Sequence, residues 1–153
     1  MTEQLDLFPK ELERIYRSDG CYDLSQPLFE MPLLDNPNQS QRNVAARIEY
    51  LKSLPKERFF IFANLDGFPY VYDREKKKKL RTNDTQRVYS TVNINGKAMY
   101  IHTLAAMFFM VNDMPDKKTQ VDHLNKDKYD YRLKNLQWVS AGENMKRAMN
   151  RGE

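Results

Sequence analysis

Apolar residues recur along this chain with two different periods, and the places where the period changes divide it into elements. Over Gln41–Leu54, Val44, Ile48 and Leu51 keep the i, i+4, i+7 spacing of a helix face, with Ser40 as a candidate cap and Pro55 as a stop. The pattern then becomes aromatic and β-branched. "RFFIFANLDGFPYVYD" reads as two strands broken by a turn at Asn64–Gly67. "RVYSTVNINGKAMYIH" reads as a hairpin turning at Asn95-Gly96, because two adjacent residues that tolerate positive φ suit a tight two-residue turn. His102–Met110 predicts a short helix with Leu104, Met107 and Phe108 inward. Residues 112–118 read as a loop, Val121–Leu124 as a strand, Asn125–Arg132 as a polar loop and Leu136–Val139 as a second strand. Ser140 with Glu143 makes a capping box, so a last helix is expected from Ala141.

The first 39 residues show neither period. Prolines at 27, 32 and 37 oppose regular structure, and only Pro9–Arg17 predicts a short helix. Leu28, Phe29, Met31, Leu33 and Leu34 are expected to pack on the body or on a partner. Charge sharpens this division. Residues 1–39 hold 3 Lys/Arg against 8 Asp/Glu, and residues 40–153 hold 22 against 13. An acidic arm thus precedes a basic body, which suits a polyanionic partner such as nucleic acid. Six of the eight residues from Arg74 to Arg81 are basic: Arg74, Lys76, Lys77, Lys78, Lys79 and Arg81. Lying between strands rich in Tyr and Phe, they form a candidate phosphate-binding loop. Arg42, Arg47 and Lys52, on the outer faces of the first predicted helix, could also touch phosphates, although a solvated face is the commoner fate of such charges.

Composition narrows the class. The 153 residues are 41% hydrophobic, enough for one modest core. The apolar runs are too short to span a bilayer, and the N-terminus lacks a signal core. A lone cysteine, Cys21, excludes an internal disulfide and a Cys-based zinc cluster. An intracellular protein is expected.

The chemistry concentrates in "VDHLNKDKYDYRLKNLQWVSAGEN", Val121–Asn144. A strand–loop–strand–helix unit can bring the end of its first strand, with Asp122 and His123, to face the start of its helix, with Asn144. An imidazole with a pKa near ~6.5 can take a proton from water at neutral pH. Asp122 and Asn144 each offer a hard oxygen to a divalent cation, which would neutralise charge on a phosphodiester. Two such ligands hold a metal weakly, so metal and DNA phosphate would bind cooperatively.

This stretch resembles the HNH nuclease family, the ββα-metal fold, in its phage and intron homing-endonuclease branch. The spacing of Asp122, His123, Asn135 and Asn144 and the Leu136-x-Trp138-Val139 strand carry the resemblance. "INGKAMYIHTLAAMFF" and, more loosely, "FANLDGFPYVYD" extend it upstream. It implies an α+β protein with a C-terminal ββα-metal unit preceded by a β-hairpin region and the acidic arm. The divisions are 1–39 for the arm, 40–56 for a linking helix and 57–153 for the β-region plus nuclease domain, whose motif core is 119–148. It implies a Mg2+- or Mn2+-dependent DNA endonuclease encoded by a phage, virus or mobile element, acting in the host cytoplasm, with duplex DNA as partner and no membrane. By position, His123 would be the general base, Asp122 and Asn144 the metal ligands, Asn135 the brace that orients the base, and His102 a supporting histidine. Lys146 and Arg147 join the candidate DNA contacts. The chain departs from the family at Asn125-Lys126, where Asp-Gly is usual, at Asp130-Tyr131 in place of paired Asn, and at Thr103 in place of Arg. The competing class is a catalytically silent HNH scaffold that binds nucleic acid or assembles with other proteins.

"QLDLF" (Gln4, Leu5, Asp6, Leu7, Phe8) is similar to the pentapeptide by which bacterial replication and repair proteins dock on the DNA sliding clamp. The alternative is an apolar cluster that folds onto its own body.

Overall fold

The computed structural model describes residues 20–28, 30–83 and 89–150, without the side chains of residues 147, 148 and 150. The segment Gln4–Phe8, the helix expected over Pro9–Arg17, Phe29 and the Arg147 side chain lie outside the described residues.

A four-stranded antiparallel sheet runs in the order β1 (Cys21–Asp23), β2 (Phe59–Ala63), β3 (Pro69–Asp73), β4 (Lys78–Lys79). Alternation puts Phe59 and Ile61 of β2 and Val71 of β3 into the core, while Phe62 stacks on Tyr70 on the opposite face at 5.4 Å. The expected turn closes the β2–β3 hairpin. Asn64 Oδ1 accepts from the backbone N–H of Asp66 and Phe68, and Gly67 takes φ +86°. A second, three-stranded sheet is ordered β5 (Thr82–Asn83), β6 (Thr91–Ile94), β7 (Lys97–Tyr100). Its β6–β7 hairpin turns at Asn95 and Gly96, both at positive φ as the sequence requires.

Helix α1 (Gln39–Lys52) buries Val44, Ile48 and Leu51, as its spacing predicts. Its cap is Asn38 rather than Ser40. Asn38 Oδ1 accepts from Gln41 N while Gln41 Oε1 accepts from Asn38 N, so two orphan donors are satisfied at once. Helix α2 (Ile101–Phe109) has all nine residues buried, not only the three expected inward, because β3, β7 and the later strands at Gln120–His123 and Leu136–Val139 pack around it. β8 (Gln120–His123) begins one residue earlier than its pattern suggests and pairs antiparallel with β9 (Leu136–Val139). A single 3-10 turn, Leu133–Asn135, leads into β9. The Ser140–Glu143 capping box is formed and starts α3 (Ala141–Asn150).

Two expectations are corrected. The arm is not without regular structure beyond Pro9–Arg17: Cys21–Asp23 adds an edge strand to β2, and Leu24 after it is fully buried. The basic run is not a free loop either. Asp73 Oδ1 accepts from the backbone of Glu75 and Lys76, Lys77 turns at φ +54°, and Lys78–Lys79 returns onto β3. Lysine on a sheet edge discourages pairing with another chain. Of the apolar residues in the arm, Met31 packs on the core, whereas Leu28 and Leu33 are exposed. No helix among the described residues is long and apolar enough to cross a membrane.

Candidate active site

β8 presents Asp122 and His123, and the first turn of α3 presents Asn144; all three line one cleft of about 400 Å3. The capping box explains why this meeting is reproducible. It fixes where α3 begins, and so where Asn144 stands relative to the β8–β9 pair. Asn144 Nδ2 donates to Gln120 Oε1 at 2.7 Å, which anchors the amide and turns its oxygen away from that bond. Gln120, Lys126, Lys128 and Tyr89 complete the polar wall.

His123 is buried, and its Nε2 has no hydrogen-bond partner among the described residues. Burial pushes its pKa below the ordinary histidine value, and nearby Lys128 adds to this. Asp122, Asp130 and Asp127 pull the other way without overcoming it. The imidazole is therefore neutral at neutral pH, the form that accepts a proton. Its ring packs beside two aromatic neighbours that also touch each other: Tyr89 is stacked at 5.6 Å and 16°, and His102 sits at 4.7 Å. His102 does not line the cleft but backs it. Burial, with the charges of His123 and Arg47, lowers its pKa to about 3.

The loop between β8 and β9 is tied down by its own side chains. Asn135 Oδ1 accepts from Asn125 N at 3.0 Å, and Asn135 Nδ2 donates to Asn125 Oδ1 and to the Asp130 carbonyl at 2.9 and 2.7 Å. Asp130 receives two bonds of 2.7 Å from Arg132 and one of 2.9 Å from Asn125. The Arg132 guanidinium holds the Asp130 carboxyl down at about 2. Asp130 thus performs a bracing task at one of the family's paired-Asn positions. Lys126, at the usual glycine position, adopts φ +69°, the region glycine favours.

A carboxylate and an amide oxygen on one cleft are donors that fit a hard divalent cation, and the unpartnered imidazole nitrogen beside them is left to accept a proton. Among the described residues no three His, Cys, Asp or Glu side chains converge on a metal position. A cation here would complete its shell with oxygens from water or substrate.

Other predicted residues stand apart. Lys79 and Arg81 border a separate groove with Phe68, Tyr70 and Tyr131, and Lys79 Nζ lies 4.6 Å from the Tyr70 ring centre. Arg74 and Lys76–Lys78 are exposed, as is Lys146 on α3, and none of these lines the cleft. Four polar residues of the cleft were missed in the sequence: Tyr89, Gln120, Lys126 and Lys128. Gln120 could have been found, since it lies two positions before Asp122 and therefore on the same face of β8. Tyr89 carries no local signal, because it enters from a distant segment.

The family model described as HNH endonuclease matches residues 100–146. A protein called uncharacterized HNH endonuclease L247, from Acanthamoeba polyphaga mimivirus, is 32% identical over 111 residues, 70% of this chain and 28% of that protein. The chain therefore spans under a third of the length of the curated relative it matches. A solved structure, titled for DNA binding and cleavage by the HNH homing endonuclease I-HmuI, aligns with a TM-score of 0.49 and 25% identity over 63% of this chain and 55% of that one. The segment that carries α2, β8, β9 and the first turns of α3 thus matches the HNH endonuclease family.

Proposed function

We propose that this protein is a metal-dependent endonuclease that hydrolyses phosphodiester bonds of duplex DNA through a C-terminal ββα-metal unit. The observation that carries the reading is the joint placement of Asp122, His123 and Asn144 on one cleft, with His123 neutral and its Nε2 unpartnered. His123 takes a proton from the attacking water, and the Tyr89 and His102 rings restrict its orientation. Asp122 and Asn144 would hold a divalent cation, Mg2+ or Mn2+, whose charge would offset that on the phosphate and the leaving oxygen. Asn135 keeps the loop after His123 in shape. Lys126 and Lys128 give the cleft a positive rim that draws in the polyanion. Homing-type action, coding by a phage, virus or mobile element, and work in a host cytoplasm are part of the same proposal. For Gln4, Leu5, Leu7 and Phe8 we propose docking on a bacterial-type sliding clamp, which would deliver the nuclease to DNA at high local concentration.

A plasmid-nicking assay with and without Mg2+ tests the reading. Magnesium-dependent conversion of supercoiled to open-circular or linear DNA is expected. DNA binding with no cleavage under any divalent cation would instead favour the silent HNH scaffold.

A further inference from the structure

On the far side of the aromatic cluster lies a second depression, of about 360 Å3, between α1 and the β6–β7 hairpin. Asn43, Arg47, Thr91, Lys97 and Tyr100 line it, and no carboxylate does among the described residues. Arg47 is the unusual member. Its side chain is half-buried, yet it makes no hydrogen bond and no ion pair with any described residue. Burial lowers its pKa, and Tyr100 pulls the other way without overcoming it. The other arginines at comparable or greater depth are paired: Arg58 forks onto Asp73 and Arg132 onto Asp130. A guanidinium taken partly out of water with no anion beside it is a poor structural device but a ready anion receptor. Lys97 supplies a second cation at the same depression, with its ammonium 4.8 Å from the Tyr50 ring centre, which limits where it can swing.

The depression is connected to the catalytic cleft. Tyr100 lines the depression and meets Tyr89 at 5.4 Å, and Tyr89 lines the cleft. The Arg47 charge also reaches His102, the ring that backs His123. A polyanion long enough to lie across Tyr100 and Tyr89 therefore meets cations at both ends of this path.

We propose that Arg47 and Lys97 form a phosphate-binding site for the DNA backbone, flanking the bond that is cut, with Asn43 and Thr91 as hydrogen-bonding neighbours. The proposal rests on the nuclease reading of the cleft and adds a DNA-binding position outside the basic stretch Arg74–Arg81. Arg47 and Lys97 hold backbone phosphate oxygens whatever the base sequence, and they set the position of the duplex rather than the chemistry.

The experiment is fluorescence-anisotropy titration of the full chain with a duplex oligonucleotide in EDTA, over a series of salt concentrations. The variants are Arg47→Gln, Lys97→Gln and the pair, with Arg47→Lys as a charge-retaining control and thermal melting as a check on folding. Each cation removed is expected to lower the log–log salt slope by roughly 0.9, about 1.8 for the pair, equally on unrelated sequences. Arg47→Lys is expected to keep the slope while weakening affinity, because the fork of donors is gone. If Arg47→Gln does not fold, Lys97→Gln alone must still lower the slope. A wild-type protein that binds duplex while Lys97→Gln, and Arg47→Gln where it folds, bind with unchanged slope would overturn the phosphate site and leave the nuclease reading standing. A wild-type protein that binds no duplex would remove both.

Discussion

The imidazoles of His102 and His123 sit with ring centres 4.7 Å apart, and burial holds both below the ordinary histidine pKa. The arrangement has a consequence for stability. An unfolded histidine titrates near ~6.5, whereas His102 in the fold titrates at about 3. Between these values the unfolded chain binds the additional proton. Stability is therefore present above pH ~6.5 and is lost as pH falls toward about 3, by roughly 1.4 kcal/mol per pH unit for one group. His123 adds in the same direction. Urea midpoints measured from pH 7 to pH 4.5 should fall, and His102→Phe, which keeps a ring but no proton, should flatten that fall. An equal acid dependence in the variant would assign it to other groups.

His123→Ala should lower the cleavage rate by ~10²–10⁴-fold, the usual effect of losing a positioned base. Duplex binding in EDTA should change little, since a neutral imidazole carries no charge to pair with a phosphate. Cleavage at the parental rate would take the base role away from His123.

Lys126 holds φ +69° without the freedom of glycine. Lys126→Gly should raise stability by up to about 1 kcal/mol, because left-handed backbone is costly for a residue with a Cβ. Thermal melting measures this. The loop network of Asn125, Asp130, Arg132 and Asn135 would remain intact in the variant, so a lowered melting temperature would mean that the Lys126 side chain itself stabilises the loop.

Replacing Lys76–Lys79 with Gln should weaken binding to all duplex sequences. The salt slope should fall by roughly 0.9 for each phosphate that these lysines neutralise. Lys78 and Lys79 pair with β3 through their backbone, so these substitutions remove charge while leaving the strand its hydrogen bonds. An unchanged slope would make the stretch a solvated, protective sheet edge.

A peptide of residues 1–12 should bind a bacterial-type sliding clamp, and Leu7→Ala with Phe8→Ala should abolish binding while nuclease activity on naked DNA persists. Absence of binding at high micromolar peptide would favour packing of these apolar residues on the protein's own body.

Local pattern alone determined much of this protein. The β2–β3 and β6–β7 hairpins are legible because Asn and Gly at their turns permit backbone that other residues resist. The start of α3 is legible because Ser140 and Glu143 satisfy each other's backbone. The spacing of Asp122, His123 and Asn144 is legible because one strand–loop–strand–helix unit encodes it within 23 residues. What only the tertiary structure decided are the relations between segments distant in the chain. Cys21–Asp23 becomes a strand because β2 offers an open edge, which no local propensity of the arm announces. Tyr89 meets His123, and Arg47 ends beside Lys97 without an acid, because packing around the wholly buried α2 brings separate elements together. The depth of His102, and with it the proton it gives up, is likewise a property of that packing: burial withdraws the water that would stabilise its charge.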